Sequence, residues 1–173
     1  HLYLSASKII VVTDSFKKYI ITEHSISEEK IGVFKNGVLI KNLKNPDLKK
    51  VESLKKSLGL KEKIIISYIG THGLAHGLKF ILDSISKIKN PNLHFLFVGD
   101  GAEKKKLVQY SKKLNLNNLT FLDSVTKIEI PLFLKISDYS LVNLKKAEEF
   151  KTVIPSKIFE NIAMYKPILL GVE

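Results

Sequence analysis

Five short apolar runs, at residues 64–69, 93–98, 119–122, 139–143 and 167–170, recur about every 20 to 30 residues, and a stretch of helical spacing separates each from the next. Each run is too short for a helix, and strands alternating with helices at this interval build βαβ crossovers and a parallel sheet covered on both faces. The expected fold class is therefore α/β, a doubly wound, Rossmann-like parallel sheet. Sheets of that kind bind ligands beyond the carboxyl ends of their strands. Each chemically suggestive loop of this chain falls at such an end.

The first such loop is Gly70-Thr71-His72-Gly73-Leu74-Ala75-His76-Gly77, ahead of a helix expected over 78–88. Its glycines let main chain approach a phosphate or a sugar, and a helix start adds favourable partial charge. A glycine-rich turn without a ligand fits the same residues. No Gly-Lys-Ser/Thr follows, so it is not a Walker loop, and it is not Gly-x-Gly-x-x-Gly. His72 and His76 have neither a carboxylate between them nor an evident third ligand, so each is expected at a solvent edge or facing a sugar, and no metal is expected.

The second loop is Val98-Gly99-Asp100-Gly101, before a helix expected over 103–114. It reads as a tight strand-to-helix turn in which Asp100 is not catalytic. The third, Leu122-Asp123-Ser124-Val125, precedes a short amphipathic helix at 130–136. The last is Pro155-Ser156-Lys157-Ile158-Phe159-Glu160, which reads as a turn opening a helix that runs to a break at Lys166-Pro167. Pro155 presets a helix start and Ser156 is a natural N-cap, which would leave N–H groups near Lys157 and Ile158 facing an anion. Lys157 and Glu160 share one helical face, suited to a phosphate and a ribose diol. Phe159, Ile162 and Ala163 are expected to face the core. An ordinary capped surface helix with an i,i+3 ion pair is the alternative.

Upstream, 8–14 reads as a buried strand, Asp14 or Ser15 as the cap of a helix to about Glu23, and 31–34 as a second strand ending in the turn Lys35-Asn36-Gly37. Residues 42–47, polar and containing Pro46, read as a linker. A helix is expected over 48–58, with Leu48, Val51, Leu54 and Leu58 on one side and Gly59 as its stop.

In this order the motifs resemble retaining, nucleotide-sugar-dependent glycosyltransferases of the GT-B fold, family 4, and within them a bacterial surface-polysaccharide branch that includes L-fucosamine and hexosamine transferases. The string from Pro155 to Leu170 is similar to their donor segment, a Glu-x-x-Ala helix followed by a Pro-hydrophobic strand. Phe97-Val98-Gly99-Asp100-Gly101 and Asn36-Gly37-Val38 match two more of their strings. The resemblance implies that 1–42 end an acceptor-binding domain and that 43–173 form the donor domain, the C-terminal half of a GT-B fold, incomplete at its C-terminus. It implies donor contacts from Gly70, Thr71, His72, Gly73, His76, Gly99, Gly101, Val125, Pro155, Ser156, Lys157 and Glu160, with main chain near Val125 meeting the base. Relatives place Arg and Lys in the first loop, where Thr71 and His76 stand here, leaving Lys157 as the cation for the diphosphate. Thr152 occupies a position that is acidic in the wider family, with Glu148 and Glu149 nearby. Acceptor-activating residues would lie in the acceptor domain, so the chain reads as a piece that binds donor without turnover.

The formal charge is +11, and all 28 basic residues are Lys. Recognition of phosphate or guanine by two parallel hydrogen bonds favours Arg, and the lysines are scattered through amphipathic segments, so nucleic acid is not the expected partner. The triple run Lys104 to Lys106 reads as a solvated helix face. No stretch approaches the roughly 20 apolar residues of a membrane span, and the absence of Cys rules out disulfides and thiolate metal sites. The expected function is transfer of a sugar from a UDP-sugar, without cofactor, to a lipid-linked or oligosaccharide acceptor in cell-envelope polysaccharide synthesis. The setting would be cytoplasmic, with possible peripheral contact on the inner membrane face. Two alternatives stand: a UDP-sugar 2-epimerase of the same architecture, and a non-enzymatic basic module for RNA or anionic lipid.

Overall fold

The computed structural model describes residues 2–43, 46–151 and 153–172. A small N-terminal unit comes first, with α1 (Leu2–Ser5), β1 (Ile9–Val11), α2 (Asp14–His24) and β2 (Ile31–Val33). The two strands pair in parallel, Ile9 opposite Ile31, and α2 packs on them through Ile20. The cap of α2 is Thr13 rather than Asp14 or Ser15. Thr13 alone has the extended backbone of a cap, and its hydroxyl accepts from the Phe16 N–H at 3.0 Å.

The expected linker lies partly outside the described residues, at Lys44 and Asn45. Asp47, at its end, caps α3 (Leu48–Ser57) by accepting from the Lys49 N–H at 2.9 Å. Five parallel strands follow: β3 (Ile64–Ile69), β4 (Leu93–Val98), β5 (Leu119–Leu122), β6 (Tyr139–Asn143) and β7 (Ile168–Gly171), in the spatial order β5-β4-β3-β6-β7. Between them run α4 (Leu78–Ile85), α5 (Lys104–Lys113), α6 (Ile130–Ile136) and α7 (Lys157–Ala163).

Alternation along β3 and β4 divides the core. Ile66, Tyr68, Phe95 and Phe97 meet Leu78, Leu82 and Leu107 from α4 and α5, while Ile65, Leu96 and Val98 meet Phe133 and Ile136 from α6, with α3 alongside. The sheet is thus covered on both faces at its centre, while the edge strand β7 leaves Leu169 and Leu170 exposed. Strand order runs outward from β3 in one direction through β4 and β5, and in the other through β6 and β7. The reversal leaves a crevice between β3 and β6 at their carboxyl ends.

Candidate functional site

The crevice is lined by the loops that leave β3, β4 and β6, and hydrogen bonds between main chains hold them together. Gly70 N–H donates to Val98 O at 2.9 Å, His72 N–H to Asp100 O at 2.8 Å, and Lys145 N–H to Ala75 O at 2.8 Å. Asn143, at the end of β6, donates through Nδ2 to His76 O at 2.7 Å.

Gly99 and Gly101 serve this loop-to-loop packing. A Cβ on Gly99 would overlap the Gly70 carbonyl, and one on Gly101 would lie 2.6 Å from His72 O. Asp100 turns back on its own loop, accepting from Gly101 N–H at 2.7 Å. That is the strand-to-helix turn expected of it.

Lys157 reaches the same loop from α7. Its Nζ lies 3.9 Å from the centre of the Tyr68 ring and 2.9 Å from where a Cβ of Gly70 would stand. It is buried and has no hydrogen-bond partner among the described residues. Burial pulls its pKa down to about 8, with Glu160 pulling weakly the other way. A desolvated ammonium left without an acceptor is costly, and an aromatic face offsets that cost only in part. The arrangement has unspent capacity for an anion.

The helix end contributes less than expected. Ser156 sits in helical conformation and its side chain caps nothing, and the Ile158 N–H is already taken by Pro155 O at 3.0 Å. The charge of the site therefore comes from the Lys157 side chain. The helix is also rotated relative to the sequence reading. Ile162 is exposed while Asn161 is buried, its Nδ2 donating to Lys157 O at 2.8 Å.

His72 does not sit at a solvent edge. It is fully buried between Tyr68, Phe97 and Phe121, both ring nitrogens lack partners among the described residues, and burial and then Lys104 hold its pKa down to about 4. An imidazole so placed is neutral and packs as an aromatic ring. His76 is half-buried beside Tyr68, with Nδ1 3.4 Å from Asn143 O, and burial and then Lys157 lower its pKa.

Thr71 is exposed, and its carbonyl accepts from the Tyr68 hydroxyl at 2.7 Å. Gly73 precedes a short 3-10 turn at Leu74–His76. Val125 packs on the α6 face of the core, with exposed Asp123 and Ser124 beside it. Glu160 and Pro155 are partly exposed on α7 and just before it. Thr152 lies outside the described residues.

Sequence reasoning missed three positions. Tyr68 holds the Lys157 ammonium, and its only signal was an aromatic two residues before Gly70. Asn143 ties the two central loops. Lys104 is no solvated residue: its side chain is 14% exposed and its ammonium bridges the loops of β4 and β5. Nearby, a cleft of about 420 Å³ separates Thr13, Asp14, Lys35 and Asn36 of the N-terminal unit from Val153, Ile154 and Phe159.

The family model described as glycosyl transferases group 1 matches residues 49–170. The colanic acid biosynthesis glycosyl transferase WcaI of Escherichia coli is 27% identical over 82% of this chain and 35% of its own length. The teichuronic acid biosynthesis glycosyltransferase TuaH of Bacillus subtilis is 24% identical over 95% of this chain and 40% of its own. The chain thus spans about two-fifths or less of these curated relatives. Among solved structures, Anabaena HepE in complex with UDP-glucose superposes with a TM-score of 0.80 at 20% identity, over 95% of this chain and 44% of that one. The α/β fold with its five-stranded parallel sheet is that of GT-B glycosyltransferase structures.

Proposed function

We infer a function from the premise that this chain belongs to the glycosyl transferases group 1 family: it forms the nucleotide-sugar-binding part of a glycosyltransferase of polysaccharide biosynthesis. The donor is a UDP-sugar, with its diphosphate at Lys157 and the loop 70–77, its ribose diol at Glu160, and its base against 122–125. The single observation that carries this reading is the buried Lys157 ammonium, which has no partner among the described residues and stands over Tyr68 at the switch point of the sheet. The choice of UDP draws on the UDP-glucose complex of the structural neighbour HepE.

The finer reading is a retaining enzyme of family 4 that moves a hexose or N-acetylated hexosamine to a lipid-linked or oligosaccharide acceptor. Colanic and teichuronic acid synthesis in the relatives supports a cell-envelope or capsular product. Residues 1–42 would close the acceptor domain and 43–173 form the donor domain, so donor binding without turnover is expected of this chain alone. The setting is cytoplasmic, at the inner membrane face. No described helix is long and apolar enough to cross a membrane.

The chemistry of this half is electrostatic. As the bond from sugar to diphosphate breaks, negative charge builds on the leaving UDP, and a preoriented cation in a dry site stabilises it more than it does the intact donor. Lys157 supplies that cation, and the glycine loop brings main chain close. An epimerase would need acid and base groups facing the sugar, and the burial of His72 removes one of those available.

Calorimetric titration with UDP, with GDP and AMP as controls at two salt concentrations, tests the reading. Selective micromolar-to-millimolar binding of UDP is expected. Indifference to UDP in a folded sample, with affinity for RNA or anionic vesicles falling linearly in log salt, would replace it with the basic binding module.

A further inference from the structure

Lys104 spends all three of its donors at once. Its Nζ donates to Gly99 O at 2.8 Å, to Leu122 O at 2.9 Å and to Asp123 Oδ1 at 2.6 Å. An ammonium has three N–H bonds, so a phosphate could reach this one only by displacing an acceptor it already holds. Lys157 is the opposite case, with no partner among the described residues. The two lysines of the site are thus divided between charge and geometry.

The acceptors of Lys104 lie off its own helix, on the loops that close β4 and β5. An exposed ion pair with Asp123, whose carboxylate side chain is 98% exposed, would by itself contribute little. The two carbonyl bonds are different, because they fix peptide planes. Holding Leu122 O fixes the plane of the Leu122–Asp123 peptide, from which the loop to Val125 departs. Gly99, the other anchor, lies so close to the Gly70 carbonyl that it has no room for a Cβ, and its own N–H donates to Leu122 O at 3.3 Å. Lys104 therefore reinforces, from its side chain, the point where β4 and β5 end beside the centre of the site.

We propose that Lys104 is a positioning residue for nucleobase selectivity: it holds the main-chain N–H and C=O groups of 122–125 in register with the edge of a pyrimidine. This rests on the donor-site reading above. A base edge read by main chain gains discrimination only if those groups are preoriented, since a mobile loop would present them to any base.

Lys104→Met tests it by titration of this chain with UDP, GDP and inorganic pyrophosphate, with circular dichroism as the check of folding. The preference for UDP over GDP should fall about tenfold, while pyrophosphate affinity stays within about twofold. A folded variant that keeps its preference overturns the inference, as does one in which UDP and pyrophosphate weaken together, because a merely structural clamp would give that. If Lys104→Met does not fold, Lys104→Gln decides. Its shorter side chain carries two N–H donors in place of three and cannot hold both carbonyls as the ammonium does, so the preference should fall about threefold, and an unchanged preference overturns the inference. A parent chain that binds no nucleotide instead overturns the donor-site reading, and this inference with it.

Discussion

An ammonium that faces a ring in place of water is still charged at neutral pH, but only just. Burial brings the Lys157 pKa to about 8, so the proton that a diphosphate needs is lost on mild alkalinisation. Only the protonated form attracts the anion. UDP affinity should then fall about tenfold between pH 7 and pH 9, following the protonated fraction. Lys157→Arg, whose charge does not titrate, should bind UDP with a nearly flat profile over that range. A parent profile as flat as that of the Arg variant would take Lys157 out of the site. Glu160→Ala should weaken UDP binding by roughly 1–3 kcal/mol through loss of charged hydrogen bonds, and unchanged affinity in a folded variant would remove Glu160. That Lys157 opens a helix was legible from its neighbours Pro155 and Ser156, whereas its choice as an anion ligand over an ordinary ion pair came from the resemblance of the whole string. His72 was misjudged because which side of a glycine loop a residue takes depends on what the next loop presents. Here that is the Gly99–Gly101 backbone, over an aromatic floor of Tyr68, Phe97 and Phe121.

At the scale of elements, the central strands were readable because two-sided burial writes a continuous apolar run into β3, β4 and β6, while β7 carries such a run although Leu169 and Leu170 are exposed. β5, β6 and α6 fall where spacing puts them, and β7 is displaced by one residue. α7 resisted because its polar and apolar residues exchange places: Asn161 lies inward, its amide donating to the Lys157 carbonyl, and Ile162 is left outside. Loop-to-loop packing was equally invisible, since a glycine string looks the same whether it faces a ligand or another loop. Gly99 discriminates the two. It has φ +146° and no space for a methyl group, so Gly99→Ala should destabilise the fold by about 3 kcal/mol or more, seen in urea unfolding before any ligand is added. Gly37→Ala, at a position with open space, should change stability by no more than about 0.5 kcal/mol. Equal effects would mean that Gly99 is kept for ligand approach.

For the molecule as a whole, the buried imidazoles weaken the fold on mild acidification. His72, His76 and His94 are all held below the ordinary range, chiefly by burial. In the unfolded chain each gains a proton as pH falls through about 6.5. In the folded chain His72 resists protonation down to about pH 4. Between those values the unfolded state holds more protons, so stability falls as the medium is acidified from about pH 6.5, and the three groups have little effect above pH 7. His72→Phe isolates the largest of these contributions. The ring it replaces has no hydrogen-bond partner to lose among the described residues and lies among aromatic neighbours, so the variant keeps the packing and removes the titration. Urea unfolding at pH 7 and pH 5 should show the drop in stability shrinking by roughly 2 kcal/mol in the variant. Any packing cost of the larger ring cancels, because each protein is compared with itself. A drop in the variant as large as in the parent would mean that the His72 imidazole is already protonated or solvated in the folded chain, and that the loop over it opens in solution.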